Sequence, residues 1–309
     1  MSPWIRYNRA KMTSTGGQLR ENSTDKVMRP KEVIAAIRDG DSILIGGWGG
    51  SRRPMGLVRE IARSSLRDLT IISFAGIDVD LLIGAGKVKK VVTPMISFEG
   101  APGNPGNYRR ARQNASIETM ELSEQLCRLG IKAAAERLPF YPTRCGLGTD
   151  LLKVNAGLET FKAPYTGETL VAMPALRADI ALIHVNAAAP NGYGQILGEP
   201  YFDQYIAMAA DKTFLSAERI VPLDDLKAFP DSANIGRLWV SGVVEIPLGA
   251  HPGDCYPDYD WDGKHLAEYS QAAADDASFK DYLAKYVHDV PDQAAYAELV
   301  GKIGKSGVE

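Results

Sequence analysis

Four glycines in five residues, Gly46-Gly47-Trp48-Gly49-Gly50, followed by Ser51-Arg52-Arg53-Pro54, carry the densest chemical signal of the 309-residue chain. Glycine takes backbone conformations closed to other residues. Such a run between a strand and a helix can therefore turn several N–H groups into one cleft. Unpaired N–H groups there form an anion or oxyanion site, helped by the helix dipole. Arg52 and Arg53 add guanidinium donors suited to carboxylate or phosphate. A dinucleotide cradle fails in detail, because Gly47-x-Gly49 would need a further glycine where Arg52 stands. A Walker loop fails because no Gly-Lys-Ser/Thr follows. A tight βα turn and an oxyanion-type loop remain.

Other side chains can do chemistry near such a loop. Glu124 directly follows Ser123, at the expected start of a helix, where the helix N-terminus stabilises a carboxylate as the anion. It is either an ordinary first-turn charge or a general base toward water or a substrate C–H. Glu99 and Ser97 end a strand segment before a Gly/Pro/Asn-rich stretch, Gly100 to Asn107. They line an acyl pocket, or Glu99 is a solvated loop carboxylate. Arg109, Arg110 and Arg112 form a basic face or partner a dicarboxylate substrate. His184 ends an apolar strand and reads as a core histidine. Cys127 and Cys145 lack a nearby base in sequence and read as packing residues. Trp48 is poorly explained by packing alone, so the bulky ring is expected to shape an acyl pocket.

These groups need rigid elements behind them. Hydrophobic residues make up 45% and charged residues 24% of the chain, enough apolar material for a sizeable core. Several β-rich runs alternate with helical stretches, which predicts an α/β fold with a largely parallel sheet. Strands are expected at Ser42–Ile45, Leu69–Phe74, Lys89–Val92, Thr119–Leu122, Thr169–Met173, Ile180–Val185 and Leu238–Ile246. Helices are expected over Val33–Ile37, Pro54–Ser64, Glu124–Arg137 and Asp203–Ala210, with Ser123 as an N-cap. Val154–Gly167 reads as an excursion from the sheet, after which Thr169–Met173 resumes the parallel pattern. The tail from Lys264 to Ile303 reads as mostly amphipathic helix. Residues 1–26 are polar, lack the apolar segment of a secretory signal, and read as a flexible tail before a single domain over 27–309. Met12 and Met28 are alternative starts.

Composition narrows the function classes. The net charge of −3 and pI near 5.9 leave no basic field for nucleic acid. No apolar run approaches a membrane span. The widely spaced Cys127, Cys145 and Cys255 argue against a disulfide framework and fit a reducing, cytoplasmic setting. His184, His251, His265 and His288 show no HExxH-like spacing, so no dedicated metal site is expected.

The glycine loop in its context resembles the α-type subunits of class I coenzyme A transferases. The shared pattern is Asp39-Gly40, the apolar triplet Ile43-Leu44-Ile45, Gly46-Gly47-Trp48 and Pro54. Trp48 replaces the usual Phe, and Arg52 stands where many members have Gly. Glu121-Leu122-Ser123 and its helix, then Leu138-Pro139-Phe140-Tyr141-Pro142-Thr143, resemble the family's second α-subunit signature. Gly249-Ala250-His251-Pro252 and Cys255-Tyr256 are similar to the glutaconate branch. Ser51-Arg52-Arg53-Pro54-Met55, Ala172-Met173-Pro174-Ala175-Leu176-Arg177, Pro200-Tyr201-Phe202-Asp203, and Phe214-Leu215-Ser216 with Glu218-Arg219-Ile220 look closer to the steroid ring-cleaving hydrolase branch.

The resemblance implies a coenzyme A transferase (NagB/RpiA-like) fold, a mainly parallel sheet flanked by helices with a helical C-terminal extension. It implies no permanently bound cofactor, with coenzyme A entering as part of an acyl-CoA substrate. It also implies a β-subunit partner, in a heterodimer, α2β2 or larger. The family's nucleophilic Glu lies in a Ser-Glu-Asn-Gly motif of the β subunit, and no Glu here precedes Asn-Gly. This chain would then supply an oxyanion loop and acyl pocket from Gly46, Gly47, Trp48, Gly49, Arg53, Ser97 and Glu99. Glu124 stands where glutaconate-type members tend to carry Gln, which favours hydrolytic C–C ring opening over CoA transfer. A non-catalytic scaffold and a nicotinamide-dependent oxidoreductase are the competing classes.

Overall fold

Every residue of Ser42–Ile45 is buried, the pattern of a strand covered on both faces rather than one. Ile43 and Ile45 point into one hydrophobic core, and Leu44 into a second on the opposite face. That is the two-residue alternation of a strand. In the computed structural model, which describes residues 25–74, 76–98, 105–228, 230–232 and 234–304, this strand is the pivot of the architecture.

The first half alternates helix and strand: α1 (Pro30–Ala35), β1 (Ser42–Ile45), α2 (Met55–Arg63), β2 (Leu69–Ile72), α3 (Ile77–Gly84), β3 (Val88–Thr93), α4 (Gly106–Gln113), β4 (Glu118–Glu121) and α5 (Glu124–Ala135). An insertion follows, with β5 (Phe140–Thr143), α6 (Leu151–Val154), β6 (Glu159–Lys162) and β7 (Thr169–Pro174). The chain then returns through β8 (Ala178–Ala188), β9 (Gly194–Gln195), α7 (Asp203–Ala209), β10 (Ala210–Ile220), α8 (Leu223–Lys227) and β11 (Val240–Glu245). Three helices close it: α9 (Gly263–Ala272), α10 (Asp276–Leu283), which runs on into a π-turn at Ala284–His288, and α11 (Gln293–Gly304).

The main sheet has the order β11-β10-β8-β1-β2-β3-β4, with β9 hairpinned on β8. All pairs along this path are parallel. Strand order reverses at β1, which lies between β2 and β8, so the crevice beyond the carboxyl ends of β1 and β8 is the natural ligand site of the fold. Helices α2, α3 and α9–α11 pack on one face, while α5 and α7 cover the other. Residues 26–28 protect the outer edge of β11. Val27 bridges Val243, and Lys26 Nζ donates to Arg237 O and Val240 O, each at 2.7 Å. No helix among the described residues is long and apolar enough to cross a membrane.

Several elements differ from the sequence expectation, each for a physical reason. β7 does not resume the parallel sheet. It pairs antiparallel with β5 and β6 in a separate three-stranded sheet, and the Val154–Gly167 excursion contributes one of those strands. The half-exposed alternation of these strands belongs to an antiparallel sheet with one wet face. β10 went unforeseen because α7 hands over to it without a loop. Helix α3 shows no amphipathic stripe, since Asp78 and Asp80 are buried beside Ile77, Val79, Leu81 and Leu82. Pro54 is the N-cap of α2 rather than part of its first turn. Residues 1–24, most of the expected tail, lie outside the described residues.

Candidate active site

The sheet orders the candidate residues along one edge. The glycine loop leaves the carboxyl end of β1, Ser73 and Phe74 follow β2, Ser97 follows β3, and Glu124 follows β4. Because β1 to β4 are consecutive parallel neighbours, these groups sit in sequence order across the rim. Glu99 lies outside the described residues.

The loop itself is held from three sides. Gly46 N–H donates to Leu182 O of β8 at 2.8 Å, and a side chain at Gly46 would meet Ile183 and Asp203 at about 3 Å. Gly47 has φ +79, and its N–H donates to Asp203 Oδ1 at 2.8 Å. Trp48 and Ser51 exchange backbone hydrogen bonds at 3.1 and 2.8 Å, closing a tight turn. Ser51 Oγ and Arg52 N–H donate to Asp254, to its side chain and carbonyl respectively. The N–H groups of Gly49 and Gly50 meet no acceptor among the described residues. Of the five residues expected to form the oxyanion loop, Gly46, Gly47 and Trp48 thus have their N–H groups engaged within the protein.

Arg52 and Arg53 differ from the anion-contacting groups that their type suggests. Both are buried, at 1% and 0% exposure, and both brace the loop from within. Arg53 donates to Gly49 O (2.8 Å), Gly46 O (3.2 Å), Phe74 O (2.6 Å) and Ser73 Oγ (3.0 Å), with Asp78 at 3.7 Å. Arg52 pairs with Asp203 at 2.6 Å and donates to Glu199 O at 2.6 Å. Trp48 is half-buried and stacks on Phe74 at 4.9 Å and on Tyr201 at 5.9 Å between ring centroids. Tyr201, 40% exposed, presents an outer aromatic surface beside it. Sequence reasoning assigned no task to Asp78, Asp203 or Tyr201. Pro200-Tyr201-Phe202-Asp203 stood out only as a run shared with the hydrolase branch, since Asp203 and Tyr201 lie about 150 residues from the loop they touch.

At the far end of the rim, Ser123 caps α5 as expected. Its Oγ accepts from Leu126 N–H at 3.2 Å and contacts Cys145 Sγ at 3.1 Å. Glu124, in the first turn, is about half exposed, and its nearest cation is Arg128 at 3.7 Å. Ser97 is half-buried on the segment after β3, between loop and glutamate in strand order. Cys127 is on the buried face of α5, and that burial pushes its thiol well above the usual range.

Two clusters of ligand-type side chains form that no sequence spacing announced, His184–Glu218–Cys255 and His251–Asp262–His265. In the first, His184 is tied to Ser216 Oγ (2.9 Å) and Glu218 Oε1 (2.7 Å), the satisfied core histidine expected. Glu218 also accepts from Tyr259 OH and from the N–H groups of Leu248 and Gly249. Burial raises its pKa, but the bonds from His184, Tyr259 and Leu248 outweigh this and hold it below the usual carboxylate value. In the second, His251 bonds Tyr296 OH and Asp262, and His265 bonds Tyr282 OH. Burial, with Arg59 nearby, pushes His251 down to about 4. Burial, then the neighbouring His251, pushes His265 down to about 3. The first cluster ties residues 248–259 to β8 and β10, and the second ties His251 to the C-terminal helices, while Asp254 of the same segment holds the glycine loop.

A parallel sheet with a braced glycine loop at its switch point and a C-terminal helical cover defines a class. The chain belongs to the coenzyme A transferase family, whose model matches residues 27–245. Over 91% of its length it is similar, at 39% identity, to the cholesterol ring-cleaving hydrolase IpdA subunit of Mycobacterium tuberculosis, 99% of which is covered. The crystal structure of glutaconate coenzyme A-transferase from Acidaminococcus fermentans superposes with a TM-score of 0.86 at 30% identity, covering 89% of this chain and 93% of that one. A variant of the decarboxylase AibA/AibB gives 0.76 at 26% identity, over 84% and 99% of the two chains. The expected family, the fold and the α-type subunit are thus those of this chain, an enzyme subunit of the coenzyme A transferase family.

Proposed function

We propose that this chain is the α subunit of a heteromeric enzyme that opens a carbon ring of an acyl-CoA thioester by hydrolytic C–C cleavage. The observation that carries the reading is a carboxylate, Glu124, on the same sheet rim as a glycine loop whose Gly49 and Gly50 N–H groups meet no acceptor among the described residues. The similarity to the IpdA subunit supports it. Gly49 O lies against Gly76, so the loop reaches over the end of β2. From β2 to β4 is two strand spacings, about 10 Å. That span leaves room for a carbonyl group and an attacking water between the loop and Glu124, with the strand that precedes Ser97 between them.

In this reading Glu124 takes a proton from water as the oxygen adds to a ring ketone. The resulting oxyanion accepts hydrogen bonds from Gly49 and Gly50. Collapse breaks the ring C–C bond, and its electron pair passes to the adjacent carbon as an enolate conjugated with a second carbonyl. Glu124 returns the proton to that carbon, leaving a carboxylic acid and a C–H bond. Coenzyme A remains on the substrate throughout. We assign the reaction to the cytoplasm, in line with three free cysteines, and the assembly to α2β2 or larger.

A second reading, CoA transfer through a glutamate of the β partner, is favoured by the 0.86 TM-score with glutaconate coenzyme A-transferase. Incubating the assembled complex with a cyclic diketone acyl-CoA and labelled acetate separates the two. Ring opening that is lost in Glu124→Gln supports hydrolysis. Labelled acetyl-CoA formed equally well by wild type and Glu124→Gln refutes it.

A further inference from the structure

Asp203 is fully buried and holds both ends of the glycine loop at once. One carboxylate oxygen accepts from Gly47 N–H at 2.8 Å, and the other from Arg52 Nη1 at 2.6 Å. Arg52 is held in turn by Glu199 O, donates its N–H to Asp254 O, and has φ +50, a left-handed conformation unusual outside glycine. The carboxylate thus closes a ring from Gly47 through Arg52, and the Trp48–Ser51 turn lies inside it. Within that ring, Gly49 and Gly50 are the residues whose N–H groups are left without acceptors among those described. Two residues before Asp203, Tyr201 stacks on Trp48, so the same segment also carries the outer aromatic wall.

An ion pair serving stability alone is replaceable by apolar side chains of similar volume. Asp203 has a further task, because an apolar side chain cannot accept the Gly47 N–H. Nor does the carboxylate oppose an anion at the loop, since Arg52 neutralises it at contact distance. We propose that Asp203 is a positioning residue. It fixes the left-handed backbone of the loop so that the Gly49 and Gly50 N–H groups converge on the substrate oxygen. This rests on the oxyanion reading of the loop given above.

The test uses the assembled complex carrying Asp203→Asn, and a second variant, Arg52→Met with Asp203→Leu. Asparagine keeps the shape but turns an N–H₂ toward Gly47 N–H or Arg52, both donors. Turnover per folded complex should fall by roughly 10- to 10²-fold, short of or matching the loss of a whole oxyanion donor. KM for the acyl-CoA should change by less than about 3-fold, because only interactions confined to the transition state are lost. The apolar double variant should regain part of the thermal stability lost in Asp203→Asn, because it leaves no unpaired buried charge, without recovering turnover. Independently of any substrate, hydrogen–deuterium exchange of the peptide spanning residues 46–53 should accelerate in both variants. Wild-type turnover and exchange in Asp203→Asn would overturn the proposal, as would joint recovery of stability and turnover in the double variant. Accelerated exchange with no change in turnover would retain the clamp as structure, and would overturn both its catalytic role and the oxyanion reading.

Discussion

Gly40 and Gly47 share the same backbone conformation, φ +79, and differ in what surrounds them. An alanine methyl at Gly40 would meet no atom within 4 Å, whereas at Gly47 it would lie 2.3 Å from Ser51 O and 2.8 Å from Arg52 O. Gly40→Ala therefore reports the left-handed penalty alone, about 1–2 kcal/mol. Gly47→Ala adds a clash with backbone oxygens, which the loop relieves by moving about 1 Å, since carbon–oxygen contacts settle near 3.3 Å or more. That movement breaks the bond from Trp48 N–H to Ser51 O and the bond from Gly47 N–H to Asp203. Losing one neutral and one charge-assisted hydrogen bond adds about 2–4 kcal/mol. Urea unfolding of the two variants side by side should thus separate them by at least about 2 kcal/mol. In the assembled complex, Gly40→Ala should turn over like wild type, and Gly47→Ala should lose about 10²-fold or more. Equal destabilisation by the two substitutions would refute the packing account of the loop. Full turnover by Gly47→Ala would reduce the chain to a scaffold for its partner.

Glu124→Gln should leave the melting temperature nearly unchanged, since the side chain is half exposed and its ion pair is long, while ring-opening turnover falls by about 10²-fold or more. Ser123→Ala removes the cap of α5 and should lower stability by about 1 kcal/mol in denaturant titration. His251 and His265 are held neutral in the fold, at about 4 and about 3, below the ordinary 6.5, so the unfolded chain gains protons first on acidification. Their contribution is present above pH 6.5 and lost as pH falls toward 4, about 3 kcal/mol for His251. Asp80, raised by burial to about 6 from 3.8, opposes this, since it adds stability as pH falls through the same range. Two histidines against one aspartate give a net loss below pH 6.5, and His251→Gln should make that fall shallower in melting temperature measured against pH.

Elements whose physics is local were legible in the sequence. β1 showed as Ser42 followed by the apolar triplet Ile43-Leu44-Ile45 and closed by glycines, and α5 announced itself through its Ser123 cap. α3 was hidden because its two aspartates are paired inside the protein, Asp78 with Ser73 and Arg53, Asp80 with Asn107, Tyr108 N–H and Tyr269. A buried partnered charge looks like a surface charge until the partner is known. The antiparallel assignment of β7 was hidden for a related reason, because strand direction depends on which neighbour it pairs with.

By itself the sequence determined the family, the glycine loop, the cap before Glu124 and the alternation that builds a parallel sheet, all properties of residues within a few positions of one another. Only the tertiary structure decided what the loop can do. Arg52 and Arg53 carry the same charge in either medium, yet burial against Asp203 and Asp78 turns them from ligands into braces. Trp48 stacks on Phe74 and Tyr201, and among the described residues the N–H groups of Gly49 and Gly50 find no acceptor. Hydrogen-bond donors are counted against acceptors brought from more than 150 residues away, and that count exists only once the chain has folded.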